Sequence, residues 1–123
     1  MTNAYKYWYG GKPAGTQKIG TSYQRLEDSQ WDPGVAGWES HLVYLNVEAA
    51  SGDGYLRLRA MRADGDATGY MDFHINGPRL ITYTYWEARG ASDGPTFWQL
   101  KCIRGLKSAT ISTRYRKGCV VRK

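Results

Sequence analysis

Tyr55-Leu56-Arg57-Leu58-Arg59-Ala60-Met61-Arg62 alternates strictly between apolar and polar or larger side chains. Leu56, Leu58 and Ala60 share one phase, and Arg57, Arg59 and Met61 the other. That period of two marks a strand with one buried and one solvated face. Upstream the pattern repeats, with Val43, Leu45, Val47 and Ala49 alternating against Leu42, Tyr44, Asn46 and Glu48. Ser51-Gly52-Asp53-Gly54 between them is a cluster of turn residues. Downstream, Ala63-Asp64-Gly65-Asp66 turns the chain, and Tyr70 to Ile75 runs back with Met71, Phe73 and Ile75 in phase. Asn76-Gly77-Pro78 is the next turn. Leu80 to Arg89 and Thr96 to Ile103 read as two more strands around a Gly- and Pro-bearing link, followed by Ala109 to Arg116 and a short Cys119-Val120-Val121. Turn clusters recur at short spacing with no helix between strands, which excludes alternating βα units. The expected fold is all-β: an antiparallel β-sandwich of about six to eight strands with jelly-roll topology.

The N-terminal part lacks this order. Tyr5, Tyr7, Trp8 and Tyr9 crowd together ahead of Gly10-Gly11, and neither a strand nor a helix period persists. Residues 1–22 therefore read as an extended arm that gains its order by packing on another subunit or domain, and residues 23–123 as a single β-sandwich domain. Residues 23–30 have room for a turn or two of helix, which Asp32-Pro33-Gly34 would stop.

At 123 residues the chain has the length of one domain, and 41% hydrophobic residues supply a core. Ten Tyr and five Trp against two Phe favour half-wet surfaces and interfaces over a dry interior. The net charge of +6 is uneven: from Gly94 onward Lys101, Arg104, Lys107, Arg114, Arg116, Lys117, Arg122 and Lys123 meet no acid. Such a basic segment calls for an anionic partner or an acidic neighbour. No apolar run has the length of a membrane span or a signal-peptide core, so the product is expected to be made in the cytoplasm and not exported by a cleaved signal. Cys102 and Cys119 are too few for a disulfide scaffold and have no zinc-binding partner pair, so free thiols are expected.

The sharpest local motif is Asp64-Gly65-Asp66-Ala67-Thr68-Gly69 with Asp72 beyond it. Asp64, Asp66, Thr68 and Asp72 match part of a calcium loop. Ile75 stands where the bidentate carboxylate belongs, and a hairpin turn needs the same Asp and Gly residues without metal. No metal or other cofactor is therefore expected. His41 lies in phase with Val43, and His74 lies in the phase opposite Phe73. Neither has a nucleophile or acid at catalytic spacing, and the chain contains no phosphate loop or nucleophile elbow. It reads as a non-enzyme. Tyr83 and Tyr85, taken as outward-facing, would suit a sugar ring or a protein hot spot. Arg114, Arg116 and Lys117 would fix a neighbouring subunit.

The segments Trp38-Glu39-Ser40-His41-Leu42-Val43-Tyr44-Leu45-Asn46-Val47 and Gly54-Tyr55-Leu56-Arg57-Leu58-Arg59-Ala60-Met61-Arg62-Ala63-Asp64-Gly65-Asp66-Ala67-Thr68-Gly69-Tyr70 resemble small virion proteins of phages that infect actinobacteria, the minor tail proteins of mycobacteriophages in particular. The resemblance spans roughly residues 17–89 and brings no catalytic residues with it. It implies a virion structural protein, a subunit of the tail tip or a related surface, whose partners are copies of itself and other virion proteins, with a host-envelope glycan as a further contact. A carbohydrate-binding module of sandwich type is the alternative. A single-stranded nucleic-acid-binding barrel comes third, because the central strands carry as many acids as bases, and nucleic acid is not the expected partner.

Overall fold

In the computed structural model, residues 3–9, 16–26, 37–62, 65, 67–89 and 96–122 are described, and side chains over 16–26, 41–62, 65, 67, 69–85 and 97–114. These residues form nine strands: β1 (Asn3–Tyr9), β2 (Gln17–Ile19), β3 (Gln24–Arg25), β4 (Gly37–Gly52), β5 (Gly54–Arg62), β6 (Ala67–Ile75), β7 (Arg79–Arg89), β8 (Thr96–Ile103) and β9 (Leu106–Arg122). One of the nine, β3, is only two residues long.

The strands make two sheets. One has the order β1-β9-β4-β7, with β2 also paired to β9, and the other has the order β3-β8-β5-β6. Every pairing is antiparallel. The chain crosses between the layers at β3, β4, β5, β7, β8 and β9. An all-antiparallel double sheet with this interleaved order is a jelly roll, the fold class that the alternation predicts.

Alternation decides what lies between the sheets. Leu56, Leu58 and Ala60 of β5 pack inward with Trp98, Leu100 and Cys102 of β8 against Val43, Leu45 and Val47 of β4 and Ala109 and Ile111 of β9. The phase expected for β4 fails at one point. A bulge between Val47 and Ala49 lets β4 take one residue more than β9, so Ala49 leaves the core side and is exposed. β9 runs unbroken over 17 residues where two shorter strands were expected. Residues 24–25 are extended rather than helical, held by pairing to β8.

The β4–β5 and β8–β9 turns close one end of the sandwich together. A side-chain carbon on Gly54 would stand 2.3 Å from the Leu106 nitrogen and 2.5 Å from the Arg104 and Ile103 carbonyl oxygens. Only glycine lets these backbones meet. Arg104 and Gly105 both have positive φ, 53° and 96°, as the two central residues of a tight hairpin require.

The stretch read as an arm is tied to its own chain. Asn3–Tyr9 and Gln17–Ile19 both pair with β9, and Ile19 is fully buried in the core.

Candidate functional site

Tyr83 and Tyr85 were expected to face outward, and they face inward. Each lies opposite a buried residue of β4, Tyr83 opposite Val43 and Tyr85 opposite His41, and opposed residues share a face. Both rings meet the buried Trp98 edge-on, at 6.0 and 5.8 Å between centroids, and Phe73 meets Tyr83 at 6.2 Å. His41 stacks on Tyr85. Burial raises the Tyr83 phenol above its ordinary pKa. The legible signal was Ile81, buried and in the same phase as both tyrosines.

The last acid of the calcium motif, Asp72, is paired with Arg57. Both Asp72 oxygens accept from Arg57, Oδ1 from Nε at 2.8 Å and Oδ2 from Nη2 at 3.0 Å. That hydrogen-bonded guanidinium holds the Asp72 carboxyl below the usual aspartate range and raises the Arg57 pKa in turn. Asp64, Asp66 and the Thr68 side chain lie outside the described residues. Cys102 is buried and unpaired in any disulfide, and burial pushes its thiol up to about 11.

The basic segment does not form one pole. Lys101 sits on β8 in the four-stranded sheet, Arg104 in the β8–β9 turn, and Arg114 is exposed on β9 in the other sheet. Strand rise places the two ends of β9 roughly 50 Å apart. Its far half does lie beside the aromatic segment: Tyr9 is opposite Arg116, Trp8 opposite Lys117, Tyr7 opposite Gly118 and Tyr5 opposite Val120. The backbone therefore brings seven of the nine expected binding residues onto two adjacent strands. Arg114 is exposed on the same strand, opposite the exposed Tyr44. The side chains of Tyr5, Tyr7, Trp8, Tyr9, Arg116 and Lys117 lie outside the described set.

This part of the molecule is an extension. The core strands of the four-stranded sheet run 8 or 9 residues, whereas β4 and β9 run 16 and 17. At about 3.3 Å per residue the described strands of the five-stranded sheet run roughly 20 Å past those of the partner layer. Since β4–β5 and β8–β9 turn at a common end, the excess lies at the opposite end, where Gly37 to Ser40 and Gly118 to Val120 pair with β7 and β1.

A second cluster shares only Asp72 with the expected site residues. On the outer face of the four-stranded sheet, one row across the strands contains Lys101, Arg57 and Asp72, and the next contains Arg25, Gln99, Arg59 and Tyr70. Tyr23 comes alongside because its neighbours are tied to β8: the Cys102 N–H donates to the Gly20 carbonyl at 2.8 Å and the Leu26 N–H to the Trp98 carbonyl at 2.9 Å. Cations lie over the rings. Arg59 is 3.5 Å and Lys101 4.4 Å from the Tyr23 centroid, Arg57 is 3.8 Å from Tyr70, and Arg25 is 4.3 Å from Phe97. Arg59 Nε also donates to Gln99 Oε1 at 3.0 Å, fixing the guanidinium plane. Beside these, His74 Nε2 stands 2.7 Å from Asp53 Oδ1, and its ring tilts on Tyr55.

No protein-family profile and no curated protein matches this chain. Solved structures do. A chain of the infectious bursal disease virus Gx strain is similar at a TM-score of 0.54 and 8% identity, covering 98% of this chain and 33% of that one. A chain of the VP2 subviral particle of the same virus gives a TM-score of 0.49 at 8% identity, over 98% of this chain and 33% of that one. A chain of the Bacillus endospore appendages, described as a novel family of disulfide-linked pili, gives 0.48 at 8% identity, over 94% of this chain and 87% of that one. This chain thus spans about a third of the viral chains. What the likeness to the Gx strain establishes is a shared all-β fold.

Proposed function

We propose that the protein is a non-catalytic structural subunit of a virion that works by associating with copies of itself and with other virion proteins. The carrying observation is the extension of the five-stranded sheet past its partner layer, which is where the aromatic segment Tyr5–Tyr9 and the basic residues Arg116 and Lys117 lie in register. Long paired strands give an interface a flat platform, and aromatic and arginine residues are the ones that anchor interfaces. Among the described strands β7 stands at the edge of this sheet, with Leu80 79% exposed on it. The fold shared with a viral chain is in keeping with this reading.

The resemblance to mycobacteriophage minor tail proteins narrows it to a tail-tip subunit, resident in the virion and positioned to touch the host envelope. The arm is the docking element, and Arg114, Arg116 and Lys117 meet acids of a neighbour such as Asp28, Asp32 or Glu39. The carbohydrate-binding alternative loses its main support, since Tyr83 and Tyr85 pack on Trp98.

Sedimentation velocity tests the reading. The purified chain should sediment as a concentration-dependent oligomer. Arg114→Glu combined with Arg116→Glu should return it to monomer with its melting temperature kept. Oligomers indifferent to the double reversal would remove the basic strand from the interface, and a monomer at every concentration would remove self-association altogether.

A further inference from the structure

We propose that the outer face of the four-stranded sheet binds a single-stranded nucleic acid laid across β8, β5 and β6. Nucleic acid was not the expected partner because acids and bases are balanced along the central strands. The structure sorts those charges by place. Arg57 and Arg59 fall on the outward phase of β5 and Lys101 joins them from β8, with Arg104 at the adjoining turn. Of the acids near them, Asp72 is occupied on both oxygens by Arg57, and Asp53 lies within hydrogen-bond distance of His74. Among the described residues Arg59 and Lys101 have no carboxylate partner, and Arg104 acts on Asp72 only through space, so this face keeps a positive field.

The chemistry of the face selects the anion. Its cations are stacked on Tyr23, Tyr70 and Phe97, and bases stack on aromatic rings and on guanidinium planes alike. With Nε held by Gln99, Arg59 keeps its two terminal NH2 groups for a phosphate. An acidic glycan would need acceptors for its hydroxyls, whereas both Asp72 oxygens accept from Arg57 and one Asp53 oxygen lies against His74. A duplex is disfavoured by shape, because four strand axes span about 14 Å and a major groove about 12 Å wide admits at most a two-stranded ribbon.

The test is fluorescence polarisation of the full chain with a labelled fifteen-nucleotide oligothymidylate. With about three phosphates met by Arg59, Lys101 and Arg104, affinity should fall roughly twentyfold between 50 and 200 mM salt. Lys101→Glu and Arg59→Gln should each weaken binding about tenfold or more, and Tyr23→Ala about tenfold through lost stacking. Asn46→Glu, an added negative charge on the opposite outer face, should change it less than twofold. Melting curves confirm that each variant folds, and Lys101→Gln replaces Lys101→Glu if the latter does not. The proposal is overturned by absent binding, by equal sensitivity to Asn46→Glu, or by an abasic oligonucleotide or sulfated oligosaccharide of the same charge binding as tightly.

Discussion

The two faces of the four-stranded sheet are made by the same strands and differ only in which phase of the alternation they carry. Inward, Leu56, Leu58, Ala60, Trp98 and Leu100 are all 1% exposed or less. Outward, the intervening Arg57, Arg59, Gln99 and Lys101 stand among Tyr23, Tyr70 and Phe97, half-exposed and linked by stacking and hydrogen bonds. The inner face is a matter of packing and the outer one a matter of chemistry. Substitutions on the two should therefore have effects of different kind and size.

The largest effect is expected inside. Trp98 fills the space under Tyr83 and Tyr85, and Trp98→Ala should cost about 3–5 kcal/mol, lowering the melting temperature by about 15 °C. A change below about 1 kcal/mol in urea unfolding would mean that the inner face is not close-packed.

At the closed end, where the two turns meet backbone to backbone, Gly54→Ala should cost about 2–3 kcal/mol, because the atoms it would strike are main chain and cannot swing away. If this variant melted like the native chain, the turns would not be in contact.

Outside, Arg59→Ala should cost under about 1 kcal/mol, the worth of an exposed cation–ring contact. A loss as large as that at Trp98 would erase the distinction between the faces.

Smaller again is the acid response of the Arg57–Asp72 pair. Because Arg57 keeps the Asp72 carboxyl below its ordinary value, the native state takes up that proton less readily than the unfolded chain. The pair's contribution is therefore complete above about pH 4 and lost as pH falls through the lower native value. Arg57→Gln should reduce the drop in urea midpoint between pH 6 and pH 3. An unchanged drop would show that the pair does not couple to folding. Calcium at millimolar concentration should leave the melting temperature where it is, since Asp72 already spends both oxygens on Arg57.

Much of the fold was legible because alternation is a local property. Thr96–Ile103 is a strand with the ends read from its residues, and Leu56, Leu58 and Ala60 are buried in the expected phase. Misreadings came where pairing between distant segments decides. Ala49 leaves the core because of a bulge against β9, and Gln24–Arg25 are extended because β8 pairs with them. The candidate site was harder for the same reason. Tyr23 and Lys101 are remote along the chain and become neighbours only through the hydrogen bonds that tie residues 20–26 to β8. The inward turn of Tyr83 and Tyr85 was available from Ile81, whose phase they share.

Hydrogen–deuterium exchange at low and high protein concentration tests self-association through the extended sheet most directly. Raising concentration should protect amides of β1, β7 and residues 115–122 of β9, while β5 and β8 exchange at the same rate throughout. Concentration-dependent protection confined to β5 and β8, or none anywhere, would contradict self-association through this sheet.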